Sequence, residues 1–185
     1  MTGEESVDYG PLRALLGTWK GDRGMDTAPE PDGSEENPFF ETIAFTPAGG
    51  VTNAESQTMV AVRYHQVACR KSDRKVFHDE TGYWLYEKAT GKVVQVLAIP
   101  RGLALIAEGT ARESGGGLVL EVRAALEGPG RISQTPFLLD RARTLAFAHR
   151  IEVRKDQMTY SETTDLEIYG KSFRHTDENA LKKES

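Results

Sequence analysis

The chain reads as an all-β protein: a closed antiparallel up-and-down barrel of about eight to ten strands with a short N-terminal helix. Three observations carry that expectation. Segments of period-two alternation fill most of the chain after residue 38, short turn signals join them, and helical periodicity between them is absent.

Residues 10–17 come first. Pro11 suits an early helical position, Leu12, Leu15 and Leu16 share one face, and Gly17 ends the element. The stretch 26–38, rich in acids and proline, is too polar for a core and is expected to be a mobile loop over one end of the fold. Strands are then expected at 39–45, 54–69, 76–86, 92–99, 103–111, 118–126, 145–153 and 158–169. Turns rich in Gly, Pro and Lys separate them, at 46–50, 88–91, 100–102, 114–117, 127–130 and 155–157. In the strand 145–153, Leu145, Phe147, His149, Ile151 and Val153 occupy one face. Connections this short join neighbours, so the strands form a meander, and a meander this long removes its two edges by closing. The interior of such a barrel has room for one small ligand.

The bulk composition sets limits on class and partners. The 185 residues fit one domain, expected over 10–183 with 1–9 as a flexible N-terminus. The 38% hydrophobic and 28% charged residues are ordinary for a globular protein. No apolar run approaches the ~20 residues of a membrane span, and the first residues lack a signal-peptide pattern, so a cytoplasmic protein without a membrane partner is expected. Cys69 is the only cysteine, which excludes an intrachain disulfide and a thiolate cluster. The net charge of −5 argues against a nucleic-acid partner. The basic stretch 70–75 is interrupted by Ser72 and Asp73 and reads as a solvated hairpin tip. Oligomeric state is left open.

Four segments resemble one family. Gly17-Thr18-Trp19-Lys20-Gly21 is similar to the Gly-x-Trp-x-Gly opening of calycin barrels, the lipocalin-like folds. Residues 39–45 resemble the second strand of nitrobindin-like proteins. His78-Asp79-Glu80-Thr81-Gly82-Tyr83 resembles that family's His-x-Glu-x-Gly-aromatic segment, followed at matching spacing by residues 96–102 and by Glu108-Gly109. The resemblance spans about residues 12–183. It implies a fatty-acid-binding-protein-like barrel that binds haem b, or a similarly planar apolar ligand, through one histidine near the C-terminus. It also implies interaction with nitric oxide and isomerisation of peroxynitrite at the iron. The family ends in Leu-Gln-x-His-Leu, where this chain has Ser172-Phe173-Arg174-His175-Thr176. Aligned without a gap, the ligand position falls on Thr176, and a one-residue offset on a strand moves a side chain to the other face.

The candidate site residues follow from both lines. His175 is the expected haem ligand by position. His149, between Phe147 and Ile151, reads as a hydrogen-bonded core histidine or as a pocket residue. His78, beside Asp79 and Glu80, has a pocket or rim role or a structural one. Trp19 plugs the closed end of the barrel or touches ligand. The polar strand 160–165 either lines a wet cavity with Glu162 and Thr164 or faces solvent. No catalytic residue is assigned, because no Gly-x-Ser-x-Gly elbow or zinc-type histidine spacing is present. Besides the haem binder, two alternatives stand. One is a haem-free relative that binds another small molecule, or acts as an enzyme through pocket carboxylates. The other is a barrel filled by its own side chains.

Overall fold

A computed structural model describes residues 7–184 apart from Pro129. A 3-10 turn at Gly10–Ala14 leads into eleven strands: β1 (Gly17–Glu30), β2 (Gly33–Asn53), β3 (Gln57–Arg70), β4 (Val76–Glu87), β5 (Lys92–Ile99), β6 (Leu103–Ser114), β7 (Gly117–Ala125), β8 (Arg131–Gln134), β9 (Ala142–Arg154), β10 (Gln157–Ile168) and β11 (Lys171–Lys183). A single helical turn and a half, α1 (Pro136–Arg141), sits between β8 and β9. Every pairing is antiparallel, β5 pairs β6, and β11 returns to β1, so ten strands close a ring and β8 adds to the edge of β6. The expected all-β meander barrel is the observed fold.

The stretch 26–38 is a correction. It forms no loop: Asp26 pairs with Asn37, Thr27 with Glu36 and Ala28 with Glu35, and the turn comes only at Pro31 and Asp32. Composition misleads here because a polar hairpin standing at a barrel rim has no apolar face to alternate. The turn expected at 46–50 is likewise strand, kinked by an irregularity between Pro47 and Gly49, and the chain reverses at 54–56 instead. Neither β8 nor α1 was legible in the alternation. Residues 1–6, the greater part of the expected flexible N-terminus, lie outside the described residues, while Tyr9 packs on the core and its hydroxyl accepts the Gly49 N–H at 3.1 Å.

Inward positions divide the barrel into two halves. At the end holding the 3-10 turn, Leu12, Leu15, Trp19, Phe45, Val62, Trp84, Val93, Leu120 and Leu181 make a continuous apolar plug. Trp19 is fully buried there and satisfies its indole N–H on the Leu15 carbonyl at 2.7 Å. The opposite end, reached by the β1–β2, β3–β4, β5–β6 and β10–β11 hairpins, is the mouth. Its wall has a seam, because β8 leaves β7 beside β9 without pairing to β9 itself. The Gln134 side chain bridges the gap: its amide N–H donates to the Thr144 carbonyl at 2.9 Å and its oxygen accepts the Thr144 N–H at 2.7 Å.

Two glycines let strands coil tightly enough to close. A Cβ on Gly82 would stand 1.9 Å from the Val96 carbonyl oxygen, and one on Gly109 would stand 1.8 Å from that of Glu121.

Candidate functional site

A bulge decides which residues of β1 reach the mouth. Trp19 faces inward, the pairing slips between Gly21 and Gly24, and the inward set then continues with Gly24 and Asp26. Without the extra residue Asp26 would point to solvent. On β11 the inward set is Phe173, His175, Asp177, Asn179 and Leu181, and on β10 it is Met158, Tyr160, Glu162 and Thr164, the alternate positions of a strand facing one side.

At the rim, His175 is on the inward face and Thr176 is not. The one-residue offset that separates this sequence from the family ending therefore leaves the imidazole inside the barrel. Its Nε2 lies 2.6 Å from Asp26 Oδ1 and 3.4 Å from Asp177 Oδ2, and Asn37 donates to Asp26 Oδ2 at 3.0 Å. Burial works against a charged His175, but the Asp26 hydrogen bond and the fields of Asp177 and Asp26 outweigh it and raise its pKa. Asp177 is pushed up to about 6, chiefly by burial, with the His175 charge pulling it back down. His78 lies 3.4 Å from Glu80, and its pKa is also raised, the Glu80, Asp177 and Glu41 charges overcoming burial.

One layer deeper the wall is a hydrogen-bonded polar belt. Glu41 Oε1 accepts from Gln66 at 2.8 Å and from the Tyr160 hydroxyl at 2.9 Å, and Oε2 accepts from Asn179 at 2.8 Å. Burial nevertheless pushes its carboxyl up to about 7, against the pull of those three donors. Glu162 is raised well above the usual carboxylate range by burial and by the neighbouring Glu80, Asp177 and Glu41.

A second chain crosses the belt. Tyr64 donates its hydroxyl to Glu80 and accepts from the Gln95 amide at 2.9 Å, and the Gln95 oxygen meets His149 Nδ1 at 3.0 Å. Each donor fixes the next acceptor, so His149 carries its proton on Nδ1 and its lone pair on Nε2. That Nε2 is the one buried side-chain polar atom without a partner among the described residues. Burial lowers the His149 pKa to about 4, so the ring is neutral. Trp84, Phe147 and Tyr160 surround it with ring centroids 5.5–6.1 Å away.

The free space here is small. A cavity of about 10 Å³ is lined by residues that include His78, Tyr160, Glu162 and Asp177, room for one water-sized guest. A larger concavity of about 630 Å³ lies beside the β1 bulge, lined by Lys20, Arg23, Phe40 and Gln157 together with the inward residues Glu41, Met158 and Leu181.

The sequence-derived candidates are thus partly brought together. His78 and Glu162 line the same cavity. Thr164 is on the same strand face and pairs across to His175. His149 stands behind the wall, 3.7 Å from Glu162. Trp19 lies away from all of these in the apolar half. Sequence reasoning missed Asp26, Asn37, Glu41, Gln66, Gln95 and Asp177. For Glu41, Gln66 and Gln95 a signal existed, since each is a polar residue flanked two positions away on either side by apolar or aromatic residues on the same strand face. Asp26 and Asn37 had none once 26–38 was read as a loop.

The molecule is accordingly a closed ten-stranded barrel with an apolar plug and a carboxylate-rich mouth. It belongs to the THAP4-like, heme-binding beta-barrel domain family, whose model matches residues 8–183. Among solved structures it is similar to the crystal structure of Rv2717c from M. tuberculosis, with a TM-score of 0.69 and 23% identity over 96% of this chain and 100% of that chain, a likeness of fold. The family makes this chain a small-molecule-binding barrel of haem-binding type. No helix among the described residues is long and apolar enough to cross a membrane.

Haem itself does not fit the residues as they stand. A macrocycle needs hundreds of cubic ångströms of largely apolar space, whereas the mouth offers about 10 Å³ walled in part by carboxyl groups. The inward imidazole nearest the rim has its Nε2 engaged by Asp26, and the free Nε2 of His149 is shut in by aromatic rings.

Proposed function

We propose that this barrel binds a compact, polar, positively charged guest at its mouth. The observation that supports the reading most is the charge of the wall. Asp26, Glu41, Glu80, Glu162 and Asp177 all face inward, and among the described residues no Lys or Arg is buried with them, His78 and His175 being the basic groups that meet them. Two imidazoles do not balance five inward carboxyl groups, and a cation entering among them lets the remainder ionise. In this reading His78, Glu162 and Thr164 meet the guest, His149 orders the wall through Gln95, and Trp19 keeps the far end shut. The test is calorimetric titration with ammonium, a cation of water size, with acetate as the control. Saturable binding of the cation, weakened by Glu162→Gln, is the expected result. Binding of acetate alone, or of nothing, overturns the reading.

Haem b, with nitric oxide or peroxynitrite chemistry at the iron, is the second reading, and the inward face of His175 favours it. It requires His175 to leave Asp26 and the mouth to widen. Its signature is a Soret band on adding hemin, with saturable quenching of Trp84 and Trp19 fluorescence, lost in His175→Ala and kept in His149→Ala. A wild type that gives no Soret band removes it.

A further inference from the structure

The cluster at the rim has a geometry that the cation reading alone does not demand. Asp26, His175 and Asp177 each present one ligand atom, all within 4.8 Å of one another, from β1 and β11. We propose that these three side chains form a non-haem site for a first-row divalent metal ion, with Asp26 and Asp177 as oxygen ligands and His175 as the nitrogen ligand. The proposal deepens the cationic-guest reading and rests on it.

Two of the three separations lie near those of bound ligand atoms, and the third is within 4.8 Å. Metal–ligand bonds of about 2.1 Å place neighbouring ligand atoms about 3.0 Å apart in an octahedron and about 3.4 Å apart in a tetrahedron. His175 Nε2 to Asp177 Oδ2 is already 3.4 Å. His175 Nε2 to Asp26 Oδ1 is 2.6 Å and needs only a small side-chain rotation to widen. The ion takes the place of the hydrogen held between that imidazole and carboxylate.

Three features outside the ligand set support occupancy. Asn37 donates to Asp26 Oδ2, which turns the other oxygen toward His175, and Arg70 Nε in turn donates to Asn37 Oδ1 at 3.1 Å. Such outer contacts orient metal ligands. The water-sized cavity borders Asp177, so a metal-bound water has a place to stand. His78 and Glu162 line that cavity and are positioned to hold such a water. A set of two carboxylates and one imidazole suits Mn²⁺, Fe²⁺, Co²⁺ or Zn²⁺ over the hard, all-oxygen preference of Mg²⁺ and Ca²⁺.

The test uses the full chain freed of metal by chelation, titrated with Zn²⁺ and with Co²⁺. One equivalent should bind saturably and raise the melting temperature, and Mg²⁺ should do neither. Asp177→Asn and Asp26→Asn should weaken Zn²⁺ at least tenfold, while Asp165→Asn, whose carboxylate pairs with Arg174 on the outer face, should leave affinity unchanged. Circular dichroism checks that the variants fold. Should either asparagine variant fail to fold, His175→Gln supplies an independent readout, because loss of a nitrogen ligand shifts the visible Co²⁺ absorption. No saturable Zn²⁺ or Co²⁺ binding by wild type overturns the proposal, as does binding indifferent to Asp177→Asn and His175→Gln. If ammonium binds while the metals do not, the cationic-guest reading stands and the metal site falls.

Discussion

His149 and Gln95 meet across the barrel interior, Nδ1 to Oε1 at 3.0 Å, and that one contact fixes the ring's tautomer and leaves its Nε2 bare. The ring is neutral with a pKa near 4, against 6.5 in an unfolded chain. Between those values the unfolded state binds the proton and the folded state does not, so stability is full above about pH 6.5 and falls toward pH 4. The loss is on the order of 3 kcal/mol. Urea unfolding of wild type and of His149→Gln across pH 7 to 4 should show this slope in the first and not in the second. Parallel curves would contradict it.

Glu41 should push the other way. Its folded pKa of about 7 exceeds the usual 4.5, so the folded state holds the proton through that window. Its contribution is complete below the lower value and disappears as pH rises through the upper one, again by up to about 3 kcal/mol. Glu41→Gln removes this slope, and the stability difference between wild type and variant should therefore shrink or reverse from pH 5 to pH 8. A constant difference would be the contrary result.

Tyr64 links Glu80 to Gln95, donating to one and accepting from the other. Tyr64→Phe leaves a buried carboxylate oxygen and a buried amide N–H without a partner, at a cost of about 1–3 kcal/mol. Gln95→Met breaks the same chain one link on. A double-mutant cycle should show the two effects to be non-additive by at least about 0.5 kcal/mol. Additive losses would mean the links act separately.

Gly82→Ala tests closure of the barrel. Its Cβ would sit 1.9 Å from the Val96 carbonyl oxygen, a backbone atom that cannot rotate away. Destabilisation of at least about 2 kcal/mol is expected in urea, with unchanged strand content at zero denaturant if the barrel still closes. Gly116→Ala is not the right control, since its backbone has positive φ, whereas Gly33→Ala meets open space and should cost little.

The barrel was legible because alternation survives wherever one face is buried. Phe147, His149, Ile151 and Val153 are all inward and buried, as their spacing predicts, whereas Leu145 leaves that face because the pairing with β10 skips it and Thr144 is buried in its stead. The chemistry was less legible, for two physical reasons. The β1 bulge shifts the inward phase between Trp19 and Asp26, and no local signal in Asp22 and Arg23 announces it. The mouth is also assembled from β1, β2, β4, β10 and β11, so Asp26 and His175, 149 positions apart, become neighbours only through the closing pair of strands. His175 was found from its place near the end of the chain. Its carboxylate partners were not, because their meaning lies in their convergence and not in their spacing.

The Gln134 side chain gives the rim a property that the rest of the wall lacks. Elsewhere each strand is held to its neighbour by a ladder of main-chain bonds. Between β8 and β9 a single amide, bonded twice to Thr144, stands in for that ladder. The join between β8 and β9 at the rim therefore rests on one side chain and not on a strand pairing. A substitution at Gln134 removes both bonds of that join and touches none of the hydrogen bonds named for the carboxylates and imidazoles.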